Sequence, residues 1–186
     1  MNKKISGQYR TRDARMLAFQ RHMEEVMPLH DVRVEFPWLI DLGYFTAPAS
    51  SKHHGAYEGG LYDHSELVAL TLTDLTKRLD LKWEREESPY LIGFLHDICK
   101  ADAYRKTESG FEYNPDMILT GHGEKSVIIT LQHIQLTDEE IMCIRYHMGA
   151  YEGEKIWNNL GKAIQKYPNI LWTHTADMLA SQVLEV

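Results

Sequence analysis

The chain has 186 residues, 44% hydrophobic and 25% charged, with a formal net charge of −7. That length closes one core without disulfides or a structural metal. The acidic balance excludes a protein that coats long duplex nucleic acid, which needs clustered Lys and Arg to release counterions, and no apolar run approaches the ~18 residues that cross a bilayer.

Residues Met1 to Gly7 have a basic start but no apolar stretch or small-residue cleavage site, so no signal peptide is expected and a cytoplasmic location is. Residues 9 to 27 place Tyr9, Ala14, Met16, Leu17, Phe19, Met23 and Val26 at near-helical spacing. This predicts an amphipathic first helix whose polar face takes the Arg and Glu residues. A second, partly helical stretch is expected from Val34 to Leu42, interrupted near Pro37 and ended by Gly43. From Tyr44 to Gly60 periodicity is lost and Pro48, Ser50, Ser51, Gly55, Gly59 and Gly60 appear, the composition of a long functional or disordered loop.

After the loop, Leu61 to Leu79 places His64, Leu67, Val68, Thr71 and Leu75 on one face of a helix, so His64 faces inward. Pro89 to Ile98 is apolar nearly all round, predicting a central buried helix that ends by presenting His96 and Asp97. Ala103 to Tyr113 reads as a small hairpin turning at Ser109-Gly110. The last third is read as three helices: Gly123 to His133, Thr137 to Met148, and about Asn169 to Leu184. Thr137-Asp138-Glu139-Glu140 fits a capping box at the start of the middle one. The expected architecture is all-α, one domain over residues 1–186: N-terminal helices to residue 43, a functional loop over 44–60 and a helical core over 61–184, with room for one hairpin.

The ten histidines are not spread at random. A charged Asp97 beside His96 at the end of a buried helix costs several kcal/mol unless it is paired or bound to a cation. Further inward candidates lie in Tyr62-Asp63-His64-Ser65, Gly121-His122-Gly123-Glu124, Ile144-Arg145-Tyr146-His147, and Thr175-Ala176-Asp177-Met178. The set mixes imidazole and carboxylate, suited to Mn, Fe, Zn, Co or Mg rather than to metals held by soft thiolates. Cys99 and Cys143 lie outside any C-x-x-C pattern, so buried free thiols are expected. His22, His30 and His133 are expected at the surface or satisfied in the core, His174 as a partner that orients a ligand, and Tyr113, Tyr146 and Tyr151 as packing residues.

With those motifs in order, the sequence resembles the HD-domain metal-dependent phosphohydrolase superfamily, whose signature is His, then His-Asp, then a C-terminal Asp. Its stretch from His53 to Ser65 is similar to the corresponding segment of bacterial HD-type exoribonucleases acting from the 3′ end. The resemblance implies that His64, His96, Asp97 and Asp177 hold a first divalent metal ion and that Asp97, His122 and His147 hold a second, with Asp97 bridging. The ions expected are Mn, Fe, Mg, Co, Ni or Zn, one or two of them. It also implies that Lys100 points at a substrate phosphate, although the Gly common before that Lys is Cys99 here. Lys52, His53 and His54, in the Gly-rich loop, are candidates to contact a phosphate, and the two histidines to protonate a leaving oxygen. The activity implied is hydrolysis of a phosphate ester of a nucleotide or short oligonucleotide by a metal-activated water. Two alternatives stand beside it: a di-iron oxygenase of the same superfamily, and a nucleotide-sensing module without turnover. The first ~45 residues are too short and too helical for an OB-fold, so action on small substrates is expected rather than processive RNA degradation.

Overall fold

The computed structural model describes residues 10–31, 35–119, 121–151 and 153–184. Tyr9, Val34 and the stretch Met1 to Gly7, named above, lie outside the described residues.

Helix α1 (Arg12–Val26) starts where the Thr11 side chain accepts a hydrogen bond from the Ala14 N–H, satisfying one of the free donors of its first turn. Its buried face is Arg15, Phe19 and Met23, at intervals of four. One of the arginines expected on the polar face is therefore interior. Arg15, 2% exposed, pairs with Asp63 through Nη2–Oδ2 at 2.8 Å and Nε–Oδ1 at 3.1 Å. Hydrophobic spacing cannot reveal such a residue, because its burial depends on a carboxylate 48 positions away. Leu17, expected on the apolar face, is 47% exposed.

Helix α2 (Trp38–Asp41) is a single turn, and Gly43 at φ +82° lets the chain leave it. The following loop is packed, not loose. Tyr44, Phe45, Ala47 and Ala49 are buried. The Ala49 N–H donates to the Gly55 carbonyl at 2.9 Å, and the Leu61 N–H to the Ala47 carbonyl at 3.0 Å. At Gly59, φ is +82° and an added Cβ would lie 2.3 Å from the Arg15 guanidinium carbon, so the loop closes directly over the Arg15–Asp63 pair.

Helices α3 (Gly60–Leu79) and α4 (Ser88–Leu95) form the centre of the molecule. They meet where Gly93 lies on Ala69; a Cβ at Gly93 would fall 2.3 Å from the Ala69 Cα. In α3, Leu61, His64, Val68 and Leu72 are buried, while Leu67, Thr71 and Leu75 are only partly so. Helix α4 is buried nearly all round, as its composition predicts, and the chain then tightens into a 3₁₀ segment, Ile98–Asp102.

A hairpin follows, with β1 (Tyr104–Thr107) antiparallel to β2 (Gly110–Tyr113) and Thr107 opposite Gly110. The turn residues are Glu108 and Ser109, one position earlier than expected, because Gly110 at φ +130° closes the turn as the first paired residue.

The remaining helices are α5 (His122–Leu131), α6 (Asp138–Tyr146), α7 (Glu154–Lys166) and α8 (Asn169–Met178), the last continuing in π-helical winding over Leu179–Leu184. The capping box at Thr137 is present, with Glu140 bonding back to the Thr137 N–H at 2.8 Å. Helix α7 was not expected from the sequence. It packs Leu160, Ala163, Ile164 and Tyr167 against the core, a spacing of three and four that was legible but interrupted by Gly161.

One hydrophobic cluster runs from Phe19 and Met23 through Phe94 and Leu95 to Ala176 and Ala180; Phe19 meets the edge of Phe94 at 5.1 Å. The fold is all-α with one hairpin. Among the described residues no helix is long and apolar enough to cross a membrane.

Candidate metal centre

Five separate stretches converge on Asp97. His64 sits in the second turn of α3, His96 and Asp97 end α4, His122 opens α5, His147 follows α6, and Asp177 lies in the last turn of α8. Asp97 Oδ2 lies 3.4 Å from His96 Nε2, 3.8 Å from His64 Nε2 and 2.6 Å from Lys100 Nζ. Its other oxygen, Oδ1, faces the opposite pair, 3.5 Å from His147 Nε2 and 3.7 Å from His122 Nδ1. Asp177 Oδ1 is 3.1 Å from His64 Nε2 and 3.9 Å from His96 Nε2. The carboxylate that the resemblance makes a bridge thus turns one oxygen to each group of histidines.

The donor atoms are buried yet unsatisfied. His64 Nδ1 and Nε2, His96 Nε2, His147 Nε2 and Asp97 Oδ1 all lack a hydrogen-bond partner. His64 and Asp177 are close but not aligned for a hydrogen bond. Orphaned polar atoms in a core cost about 1–3 kcal/mol each, and four of these five, one each from His64, His96, His147 and Asp97, cluster together and indicate a shared cation. Backbone carbonyls prepare the rings for it. His96 Nδ1 lies 2.8 Å from the Gly93 carbonyl and His147 Nδ1 2.7 Å from the Ile144 carbonyl. A carbonyl can only accept, so each Nδ1 carries the proton and each Nε2 presents a lone pair inward. Among the described residues, three groups have donor atoms close enough for an ion: His64, His96 and Asp97; His96, His147 and Asp177; and Asp97, Cys99 and His122. These residues fit a divalent metal.

Electrostatics agree. Burial works against the charge on Asp97, but Lys100 and His96, with His122 and His147 beside its other oxygen, hold its carboxyl well below the usual range. Asp177 is also held low: burial opposes its charge, and His64 and His96 outweigh it. Burial chiefly pulls His64 down, whereas in His96 the two carboxylates and the Gly93 carbonyl overcome burial and raise it. Asp97 and Cys99 push His122 up to about 9. Two ionised carboxylates in the interior therefore attract positive charge to this point.

Above Asp97 opens a cavity of ≈ 380 Å³, lined by Ser50, His54, Lys100, His122 and Asp177 among others. That volume accommodates a small-molecule ligand. The His54 ring centre lies 4.9 Å from that of His64. Lys52 and His53 are exposed and do not line the cavity; the turn that brings Ser50 and His54 inward carries them outward. His174 Nδ1 donates to the His147 carbonyl at 2.7 Å, so it steadies the chain at His147. Tyr151 and Tyr113, expected as packing residues, are 71% and 59% exposed; Tyr151 stands on the cavity rim. The other histidines are satisfied elsewhere, His22 on Glu66, His30 on Glu35 and His133 stacked on Trp38. Sequence reasoning missed Arg15, whose pairing with Asp63 anchors the helical turn that carries His64. Both cysteines are free and buried, as expected.

A helical domain with a buried His/Asp cluster at the end of its central helix is a metal-binding fold of a recognisable class. The HD domain family matches residues 61–179, well over half of the chain, so the protein belongs to the HD domain family. HD domains bind divalent metals and are in general metal-dependent hydrolases. The match is to the HD domain and does not single out the exoribonucleases. No curated protein and no solved structure gives a significant match.

Proposed function

We propose that the protein is a metal-dependent phosphohydrolase acting on a phosphate ester of a nucleotide or short oligonucleotide. The observation that carries this reading is the set of buried, unpartnered donor atoms around Asp97, facing a cavity that also receives Lys100. His64, His96, Asp97 and Asp177 would hold one ion, and Asp97 with His122 and His147 a second. A bound divalent metal supplies Lewis-acid activation of water and of the phosphoryl oxygens.

The chain's own groups account for the rest. Lys100 is only 12% exposed, and its partner Asp97 outweighs burial and keeps it protonated. One of its three donors goes to Asp97 while the amine borders the cavity, so it neutralises charge developing on the equatorial oxygens. Burial, His64 and Lys100 pull His54 down to about 4. At neutral pH it is an uncharged hydrogen-bonding group, better suited to orient a phosphate or water than to act as the acid. The net charge of −7 makes binding depend on these local cations rather than on a basic face.

The test uses protein stripped by a chelator and reloaded with Mn²⁺, Co²⁺, Ni²⁺, Zn²⁺, Fe²⁺ or Mg²⁺, assayed on bis-p-nitrophenyl phosphate and on a panel of nucleotides and dinucleotides. Hydrolysis that returns with metal and is absent in His96→Ala is expected. Tight nucleotide binding with no turnover under any ion would replace the enzyme with a sensor, and oxygen-dependent turnover with iron would replace it with an oxygenase.

A further inference from the structure

Cys99 stands where the resembling proteins commonly have glycine, and in sequence it counts only as a buried thiol. Its surroundings give it more to do. Its Sγ lies 3.7 Å from His122 Nδ1, and that nitrogen lies 3.7 Å from Asp97 Oδ1. All three donor atoms fall within 4.8 Å of one another. We infer that Cys99, His122 and Asp97 form a mixed sulfur, nitrogen and oxygen site for a thiophilic divalent ion, with zinc favoured, on the Oδ1 side of Asp97. The inference rests on the metal-centre reading above and adds a thiolate ligand and a metal preference to it.

The spacing is what an ion requires. Tetrahedral zinc with a sulfur at ~2.3 Å, a nitrogen at ~2.0 Å and an oxygen at ~2.1 Å holds its ligand atoms roughly 3.4–3.6 Å apart. The two separations from His122 Nδ1, 3.7 Å each, differ from that by a few tenths of an ångström, and the sulfur and the carboxylate oxygen lie within 4.8 Å of one another. A hydrogen bond explains the cluster less well. The oxygen at 3.7 Å is too far to accept from Nδ1, and Asp97 Oδ1, on a residue 2% exposed, has no donor at all. That orphaned oxygen, independent of the cysteine, is aimed at the same point.

Local structure explains how the three meet. Asp97 and Cys99 lie two residues apart where α4 gives way to the 3₁₀ segment. His122 is the first residue of α5, turned in by Gly121 at φ +92°. Its side chain is 47% exposed and borders the cavity, so the side of the ion away from Cys99 faces solvent. With His147, which the proposed function places on this ion, the protein donors number four, and the solvent-facing side leaves room for a fifth ligand, as catalytic zinc sites allow. His147 Nε2, 3.5 Å from the same Asp97 oxygen, also groups with His96 and Asp177. Binding forms a metal–sulfur bond and releases the thiol proton to solvent, with no change of oxidation state. A thiolate raises affinity for Zn²⁺, Co²⁺ and Fe²⁺ over Mg²⁺, which prefers oxygen ligands.

Cobalt reads the site without any assay of activity. Metal-free protein titrated with Co²⁺ is expected to show visible d–d bands together with a near-ultraviolet sulfur-to-cobalt charge-transfer band. Cys99→Ser should lose the charge-transfer band and keep d–d bands from cobalt on the histidines, while Cys143→Ser keeps both. In competition, Cys99→Ser should weaken zinc by about tenfold or more and change Mn²⁺ affinity less than twofold. Cobalt that binds wild type with d–d bands and no charge transfer overturns the inference and leaves the metal centre standing. A charge-transfer band that survives Cys99→Ser overturns it as well. Absence of any cobalt band overturns both.

Discussion

Among the described residues, two buried clusters of polar side chains, one around Glu140 and one around Asp97, treat their hydrogen bonds in opposite ways. Around Glu139 and Glu140 the carboxylates are well supplied. Glu140, with 0% exposure, accepts from Arg85 Nε at 3.1 Å, from Ser88 Oγ at 2.8 Å and from the Thr137 N–H at 2.8 Å. Glu139 accepts from the Glu84 N–H at 2.8 Å and from Asn169 Nδ2 at 2.9 Å. Around Asp97 the burial is equal, and five donor or acceptor atoms have nothing to bond. A satisfied network joins elements to one another and stabilises the fold. One left open among titratable groups holds its atoms for something from outside. The difference separates a structural polar cluster from a functional one better than burial or charge does.

Substitution should break the two clusters in different ways. The largest effect is expected at Asp97, where Asp97→Asn lowers turnover of any phosphodiester the metal-loaded protein hydrolyses by about 10³-fold or more, while the metal-free protein still folds and melts cooperatively. A steady-state assay beside a thermal melt checks it; a collapse of the fold would make Asp97 structural like Glu140. Glu140→Ala should do the reverse. Removing a buried partner costs about 3–5 kcal/mol, and the lower end applies because Arg85 is 31% exposed and can turn to water. At about 2–4 °C per kcal/mol for a chain of this size, calorimetry should show a drop near 10 °C, with the activity of the remaining folded protein retained.

A third expectation sharpens the contrast from the ligand side. Metal in excess of its dissociation constant by ~100-fold should stabilise the protein by about 2.7 kcal/mol, and a chelator should remove that gain. The gain should shrink in His64→Ala, which removes a ligand of the first ion, and persist in full in Glu139→Gln; an equal gain in both would mean that the ion binds elsewhere. The smallest effect is at Thr137, whose hydroxyl accepts from the Glu140 N–H at 3.2 Å. Thr137→Ala should cost about 1 kcal/mol, seen as a shift in the urea midpoint with no change in metal affinity.

Much of this was legible in the chain. The apolar run of α4 announced a buried helix ending in His96-Asp97, and Thr137 with Glu140 announced the start of α6, because both depend on residues within one or two turns. The six metal-competent side chains could be named, and the structure brings all six together. Other features escaped. Arg15 shares a helical face with Phe19 and Met23, but periodicity assigns a lone arginine to solvent unless its carboxylate is known. Helix α7 lies outside the three helices expected in the last third, and the hairpin turn falls one residue earlier than expected because Gly110 begins a strand rather than occupying the turn. Lys52 and His53 shared a motif with His54, yet only His54 reaches the cavity.

The sequence alone determined which side chains could bind a metal, which helix is central and where two helices begin, since those properties follow from composition and from spacing along a single turn. Only the tertiary structure decided which atoms meet. The crossing of α3 on α4 at Gly93 and Ala69 brings His64 to His96, and the packing of α8 against both brings in Asp177. The entry of α5 beside the 3₁₀ segment brings His122 within reach of Cys99. Those distances depend on how whole helices pack, and the spacing of residues within any one of them holds no record of it.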